Sequence, residues 1–370
     1  MSAENPQPPE RPIADDPSHP ALLGQYEPGQ AQRINYFREE RTPWQAVEIF
    51  LTLRCPLACF HCITNSHPAR GEQMEEELLK TVLAELAELG RTRWVCLFGG
   101  EPLLEPRLLT LGIRETRRLG MIPTVVTSGA WAGSESEAAR GAETLEGSGT
   151  VMFSTDRAHT RFVDLETLIR GMAAVRAQGL HVSLCYTAER DEFGMAQPVP
   201  AELMAACGSL DVGCVVTPMT DGGRASRHPE LLPRVDPAVP CGKIDVPLIG
   251  CDGEVYACGP GWTIPAEGRS RHRLGNARVE GLNTIFRRRY NSPILETLRW
   301  RGPLAALEEL SELDGELERR IAADPPSSPC AACRLVSLHA PGKEPLWAGS
   351  CLQTAKLNPA VALGSERACS

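Results

Sequence analysis

The sequence has no long apolar run. It contains no stretch of about 18 consecutive apolar residues, the length that a membrane-spanning helix requires. Its first residues also lack the basic and then apolar pattern of a secretory signal peptide. We therefore expect a cytoplasmic protein without a membrane partner.

The sequence also has little positive charge. Its 38 Lys and Arg residues face 47 Asp and Glu residues, which gives a net charge of −9. A protein that binds the phosphate backbone of a nucleic acid needs a surplus of basic residues, so we expect no nucleic-acid partner. The one basic run, Arg287 to Arg289, is flanked by apolar residues and is predicted to lie on the exposed side of a helix.

Cysteine, by contrast, is abundant, with 14 residues. In a reducing compartment disulfides are not expected. Clustered cysteines then indicate metal ligands, and isolated ones inside apolar runs indicate small buried residues. The isolated ones are Cys96, Cys185, Cys207 and Cys214.

Three cysteines form one tight group. Cys55, Cys59 and Cys62 lie in a single short stretch after an apolar run. Each thiolate can bind one iron of a cubic [4Fe-4S] cluster, which has four irons, so one iron is left open. Zinc is the alternative, although zinc modules usually add a second cysteine pair close by, and none follows here.

This spacing, followed by Gly99-Gly100-Glu101-Pro102, resembles the radical S-adenosylmethionine (radical SAM) superfamily. The resemblance implies that the three thiolates bind three irons while the amino and carboxylate groups of S-adenosylmethionine (SAM) chelate the fourth. An electron from the cluster then cleaves the sulfonium and yields methionine and a 5′-deoxyadenosyl radical. An electron donor such as flavodoxin or ferredoxin is also implied.

The Gly-Gly-Glu-Pro motif is implied to hold the methionine amino group of SAM. Gly99 and Gly100 allow a close approach of the backbone, and Glu101 offers a carboxylate to an ammonium group. A plain turn before Pro102 is the alternative.

Apolar runs alternate with helical patterns along the chain. Strands are predicted at 47–53, 94–98, 124–127, 151–154, 182–186 and 214–216, and helices at 78–89, 108–119 and 165–177. This alternation predicts an α/β fold with a parallel sheet. An open doubly wound sheet and a partial (β/α)6 barrel both fit the count, and the resemblance favours the barrel.

Polar residues follow the predicted strands, at the edge where α/β proteins place their sites. Ser154 and Asp156 are candidates for the ribose hydroxyls of SAM, with capping of the strand end as the alternative. His159 is a candidate for substrate contact or proton transfer, or is an exposed loop residue. Arg190 is a candidate for the SAM carboxylate, or forms a surface salt bridge.

Composition divides the chain into predicted regions. Residues 1–43 are rich in proline and polar residues and are expected to be a disordered tail. A core domain at 44–225, a linker at 226–240, a small second domain at 241–352 and a tail at 353–370 follow. Within the second domain, Asp252-Gly253 predicts a hairpin, Pro293 a break in a helix at about 284–297, and 304–321 an amphipathic helix.

A second set of cysteines lies in that region. Cys241, Cys258, Cys330 and Cys333 resemble the twitch domain, the reduced form of the SPASM domain, which implies one auxiliary [4Fe-4S] cluster. An all-thiolate zinc site is the alternative. Cys251 and Cys351 are unassigned. Either can replace one of the four ligands, and Cys251 can also donate a hydrogen atom to a substrate radical or be a small residue at the hairpin.

The expected function is that of a radical SAM oxidoreductase or epimerase. It abstracts a hydrogen atom from a small-molecule substrate, a sugar or aminocyclitol, in natural-product biosynthesis. One alternative is a peptide maturase that modifies a ribosomally synthesised precursor peptide. A non-catalytic iron-sulfur protein is the other.

Overall fold

One sheet carries the strands of the described chain. The computed structural model describes residues 31–33, 44–263, 270–312, 315–340 and 345–346. Its sheet order is β1-β7-β6-β5-β4-β3-β2-β8-β9-β10. The strands are β1 (Ala31–Arg33), β2 (Ala46–Thr52), β3 (Trp94–Gly99), β4 (Ile122–Thr127), β5 (Thr150–Thr155), β6 (His181–Ala188), β7 (Gly213–Pro218), β8 (Leu248–Ile249), β9 (Glu254–Tyr256) and β10 (Arg273–Asn276).

Strands β2 to β7 lie side by side in chain order, and all their pairings are parallel. A doubly wound sheet would reverse its strand order at a switch point, so this order is that of a partial (β/α)6 barrel, as predicted. The helices are α1 (Glu76–Leu89), α2 (Pro106–Arg118), α3 (Glu135–Thr144), α4 (Leu165–Ala177), α5 (Arg190–Phe193), α6 (Ala201–Ser209), α7 (Leu282–Tyr290), α8 (Pro293–Trp300), α9 (Gly302–Ser311), α10 (Gly315–Ala323) and α11 (Pro329–His339).

The two faces of β2 differ in chemistry. Val47, Ile49 and Leu51 are fully buried in the hydrophobic core. Glu48 and Phe50, which have the opposite parity, line a cavity inside the barrel. The period of two along a strand therefore separates the core from the site.

The helices cover the core face of the sheet. The buried side chains of α1 recur at helical spacing, and Gly90 ends the helix in the left-handed region at φ 64°. No helix of the described residues combines the length and apolarity that crossing a bilayer requires.

The predicted tail contains a strand. Ala31–Arg33 pairs in parallel with Cys214, Val215 and Val216 of β7, so the prediction of a disordered tail from 1 to 43 is wrong at these three residues. An unpaired edge of a sheet exposes backbone hydrogen-bonding groups, and this segment satisfies them. The other residues of that tail, like 353–370, lie outside the described residues.

The sheet continues beyond the predicted linker. β8 pairs in parallel with β2, and the hairpin predicted at Asp252-Gly253 joins β8 to β9. The break predicted at Pro293 is confirmed, because α7 ends at Tyr290 and α8 begins at Pro293. The single helix predicted at 304–321 is instead α9 and α10, with Gly315 at the start of the second. The domain boundaries stay predictions.

The arginine run is not wholly on the surface. The side chain of Arg289 is fully buried and donates to Asp245 Oδ1 at 2.7 Å, to Glu296 Oε1 at 2.5 Å and to the Ile244 carbonyl. The expectation of an exposed run is wrong at this position, since two acidic residues from other elements compensate the buried charge. Burial raises the pKa of Asp245, against the lowering effect of Arg289 and Arg299.

Candidate active site at the strand ends

The three-cysteine loop follows the end of β2. Arg224, which follows β7, holds this loop from the other side of the barrel. Its backbone N–H donates to the Cys62 carbonyl at 3.0 Å, and its Nε donates to the Cys59 carbonyl at 2.8 Å. The loop is therefore held from two sides, by its own strand β2 and by Arg224 after β7.

The two glycines of the Gly-Gly-Glu-Pro motif touch the backbone that leads into the loop. The N–H of Gly100 donates to the Thr52 carbonyl at 2.7 Å, and the N–H of Glu101 donates to the Arg54 carbonyl at 2.9 Å. A Cβ atom on Gly100 would lie 2.0 Å from the Arg54 oxygen, and one on Gly99 would lie 2.2 Å from the Thr52 oxygen. Glycine is therefore required at both positions by close approach.

The carboxylate of Glu101 joins the ends of β3 and β4. It accepts hydrogen bonds from Thr127 Oγ1 at 2.8 Å and from the N–H and hydroxyl of Ser128 at 2.9 and 2.6 Å. Burial raises the pKa of Glu101, while these hydrogen bonds oppose the rise. Thr127 and Ser128 line the cavity, and Glu101 lies behind them.

One cavity brings half of the predicted site residues together. Its apolar wall includes Phe50, Phe98 and Val126, and its hydroxyl groups come from Ser154, Thr187 and Thr217. Glu48, Lys243 and Arg224 add charged groups to its wall. Of the residues predicted from the sequence, those that line it are Cys55, Cys59, Cys62, Gly99, Gly100, Ser154, His159 and Cys330.

Asp156 is held by two histidines. Its Oδ2 lies 2.9 Å from His61 Nε2 and 2.6 Å from His159 Nδ1, and its Oδ1 accepts the N–H groups of Ala158 and His159. Burial acts to raise the pKa of Asp156, but His159 and His61 outweigh it and lower the pKa. Burial acts to lower the pKa of His159, but Asp156 and the Cys59 sulfur raise it well above its usual value. In the structure, the Asp156 carboxylate therefore contacts two histidines.

Two of the predicted residues outside the cavity lining, Arg190 and Cys251, donate to backbone oxygens. Arg190 donates to the backbone carbonyls of Leu232 and Pro229, at 3.0 and 2.8 Å. The buried thiol of Cys251 donates to the Phe50 carbonyl at 3.3 Å, and burial raises its pKa to about 12. Neither residue lines the cavity.

Arg224 faces the cavity instead of Arg190. Its buried Nη2 atom has no hydrogen-bond partner among the described residues. Its place at the end of β7 was the available sequence signal, whereas the guanidinium of Arg190 is taken up by backbone oxygens. Glu48 and Lys243 were missed as well, although a charged residue inside the apolar run of β2 was a signal for the first.

The second set of cysteines comes together from three elements. Cys241 precedes a short 3-10 helix at Gly242–Asp245, Cys258 follows β9, and Cys330 and Cys333 lie on α11. Burial raises the pKa of Cys241 to about 11 and that of Cys258 to about 12, and the nearby Cys241 thiol raises the latter further. Burial raises the pKa of Cys333 too, with added contributions from the other three thiols. All four sulfurs thus lie in one buried site.

His272 also lies at this second site. Its Nε2 is 2.9 Å from Ser337 Oγ and 3.5 Å from Cys333 Sγ. Burial lowers the pKa of His272 to about 4, so this ring is neutral at physiological pH. Cys351 lies outside the described residues.

The spacing of the sulfurs tests the choice between zinc and an iron-sulfur cluster. A tetrahedral zinc ion with Zn–S bonds of about 2.3 Å needs sulfurs about 3.8 Å apart. In the described part of the chain, no trio of cysteine sulfurs lies within 4.8 Å of one another. A cubane suits the wider spacing because each thiolate binds a different iron. The lack of such a trio among the described residues is compatible with a cluster at each set of cysteines, and the identity of the metal stays a prediction.

Comparisons with known proteins found the following similarities. A curated relative, the PqqA peptide cyclase of Gluconobacter oxydans, is 40% identical over 83 residues, which cover 21% of this chain and 22% of that protein. Among solved structures, BtrN in complex with AdoMet and 2-DOIA is 15% identical, with a TM-score of 0.38, over 67% of this chain and 83% of that one. SuiB of Streptococcus suis bound to S-adenosylmethionine is 14% identical, with a TM-score of 0.48, over 70% of this chain and 68% of that one.

The aligned part of the peptide cyclase is thus about a fifth of its length. The Radical SAM superfamily matches residues 49–188, a span that contains the three-cysteine loop, the Gly-Gly-Glu-Pro motif and strands up to β6. These residues of the chain are a radical SAM domain, which uses SAM and a [4Fe-4S] cluster.

Proposed function

We propose that this protein is a radical SAM oxidoreductase that oxidises an alcohol carbon of a sugar or aminocyclitol. One observation carries the proposal: a single cavity is lined by Cys55, Cys59 and Cys62 at the loop and by Cys330 of the second set. A substrate inside the barrel would therefore contact both cysteine sites.

The cavity residues have distinct roles in this proposal. When bound, SAM and its cluster supply a 5′-deoxyadenosyl radical, which removes one hydrogen atom from the substrate. Arg224 binds the SAM carboxylate, because its buried Nη2 atom has an unused donor. The backbone at Gly99 and Gly100 approaches the methionine end, and Ser154 donates to a hydroxyl of the ribose or the substrate. Phe50 and Phe98 exclude water.

Oxidation suits this cavity better than epimerisation does. Loss of a hydrogen atom leaves a substrate radical that must give up one more electron and one proton to become a ketone. Cys330 provides an exit for that electron if the second set of cysteines holds a cluster. Epimerisation needs a hydrogen donor instead, and every described cysteine that lines the cavity is a proposed metal ligand, while Cys251 faces a backbone carbonyl.

Anaerobic reconstitution with iron and sulfide tests the proposal. With SAM and dithionite, or with flavodoxin or ferredoxin as the donor, we expect 5′-deoxyadenosine. A substrate mixture should then yield a product two mass units lighter, and the Cys330→Ser/Cys333→Ser double variant should cleave SAM without forming it. In deuterium oxide, a product one mass unit heavier than the substrate, with the deuterium bound to carbon, would establish epimerisation.

A peptide maturase is the second candidate, because of the 40% identity over 83 residues to a peptide cyclase. It predicts that a precursor peptide, and not a sugar or aminocyclitol, couples SAM cleavage to product formation. Adding each substrate class to the same reconstituted protein separates the two candidates.

A further inference from the structure

An acidic and a basic side chain lie next to each other in the wall of the cavity. Glu48 lies inside β2 between the buried residues Val47 and Ile49, and its side chain points into the barrel. Lys243 lies on the 3-10 helix two residues after Cys241. Both line the cavity that Cys55, Cys59, Cys62 and Cys330 also line.

The two charges are loosely paired. Lys243 Nζ lies 3.4 Å from Glu48 Oε1, and the side chains are 16% and 13% exposed. Charge-assisted hydrogen bonds between nitrogen and a carboxylate are usually about 2.7–2.9 Å long. The Glu48 carboxylate therefore has capacity for a second, closer donor.

The backbone at Gly259 packs beside this carboxylate. A Cβ atom on Gly259, which also lines the cavity, would lie only 2.6 Å from Glu48 Oε2. A side chain at this position would compete with the carboxylate for room. Glycine is therefore required where the backbone passes this carboxylate oxygen.

A salt bridge outside the cavity shows how a carboxylate with both oxygens paired differs from Glu48. Glu254 is 15% exposed, close to the value for Glu48, and it accepts two guanidinium nitrogens of Arg273. A bidentate pair of this kind uses both carboxylate oxygens. Among the described residues, the similarly buried Glu48 makes a longer contact, to Lys243, which suits exchange with a ligand.

Resting on the proposed function, we propose that Glu48 binds an ammonium group of the substrate and that Lys243 donates to one of its hydroxyl oxygens. The substrate is then an aminocyclitol or amino sugar rather than a neutral sugar. Glu48 lies about 13 Å along β2 from Thr52, at about 3.3 Å per residue, which leaves the ring between Glu48 and the three-cysteine loop. Thr187 and Thr217 supply further hydroxyl contacts in the wall.

Binding of two matched probes tests the inference without relying on turnover. Calorimetry on the anaerobically reconstituted protein with SAM would compare 2-deoxystreptamine with myo-inositol, a cyclitol that lacks amines. We expect the amine to bind about tenfold more tightly or better, as one charge-assisted hydrogen bond implies. Equal binding of the two probes, or no binding of either, would overturn the inference.

Variants then separate recognition from a structural ion pair. Glu48→Gln should lose the preference for the amine, whereas Lys243→Met should keep or increase it, because the competing cation is gone. Glu254→Gln is the matched control and should leave the preference unchanged. Equal losses in the Glu48 and Lys243 variants would indicate a structural pair and contradict the inference.

The outcome is distinguishable from failure of the proposed function. SAM cleavage by the wild-type protein with dithionite is measured on the same preparation. If 5′-deoxyadenosine forms and no amine preference is found, only the present inference fails. If no 5′-deoxyadenosine forms, the proposed function fails.

Discussion

The two cysteine sites are built in different ways. The first site takes its three sulfurs from one loop that follows β2, and its geometry is set by backbone contacts to Gly99 and Gly100. The second site takes its four sulfurs from three separate elements, and Cys241 is separated from Cys333 by most of the C-terminal part of the chain.

This difference determines what each site depends on. The first site depends on local backbone geometry, so a single added carbon atom can disrupt it. The second depends on tertiary packing, so its integrity follows the stability of the helices that carry it. The buried Arg289 links α7 to Asp245, which closes the 3-10 helix after Cys241.

The largest expected effect is at Gly100. Gly100→Ala would place a Cβ atom 2.0 Å from the Arg54 oxygen and displace the residue before Cys55. We expect iron content to fall from about eight to about four atoms per chain, because one cubane is lost and the other kept. Gly71→Ala is the control, since no atom lies within 4 Å of its added Cβ. Full iron retention in Gly100→Ala would show that the first site does not depend on this contact.

The next effect is at Arg289. Arg289→Met leaves Asp245 buried, with Arg299 as its remaining guanidinium partner, and removal of one partner of a buried pair costs about 3–5 kcal/mol. We expect the free energy of unfolding in urea to fall by this amount. Iron should also be lost from the second site at lower temperature than from the first. Arg287→Met, in the same run on α7, should change the free energy by less than about 0.5 kcal/mol.

Simultaneous loss of iron from both sites in the Arg289 variant would contradict the prediction that the two sites lose stability separately. It would mean that both sites belong to one cooperative unit.

The smallest effect is at Glu101. Glu101→Gln replaces an acceptor oxygen by a donor opposite Ser128 or Thr127 and leaves a buried donor unsatisfied, at about 1–3 kcal/mol. We expect a lower unfolding free energy with both clusters retained, measured by chemical denaturation and iron analysis. Glu105→Gln, whose ion pair with Arg54 is partly exposed, is the control. A selective loss of SAM binding in the Glu101 variant, without lower stability, would instead indicate direct contact with SAM.

Much of the first site could be predicted from the sequence, because its information is local. Cys55, Cys59 and Cys62 follow one apolar run, and Gly99 and Gly100 follow the next, so adjacent parallel strands bring them together. The order of six strands also follows from the alternation of apolar runs and helical patterns. Helix α3 was missed because its buried face is made of Ala138, Gly141 and Ala142, which give little apolar signal.

Contacts between distant segments could not be predicted. Asp156 meets His61 across 95 residues, and no spacing rule connects them. Arg190 and Arg224 both follow predicted strands, and only the folded chain shows that backbone carbonyls bind the first while the second faces the cavity. Burial of Arg289 likewise depends on acidic residues from other elements.

Electron paramagnetic resonance of the reduced protein, with and without SAM, tests the central claim most directly. Two [4Fe-4S] signals are predicted, of which one changes when SAM is added. In the Cys55→Ala/Cys59→Ala/Cys62→Ala variant only the signal that does not respond to SAM should remain. A single signal in the wild-type protein, or zinc in place of iron at the second site, would contradict the account of two clusters that serve one cavity.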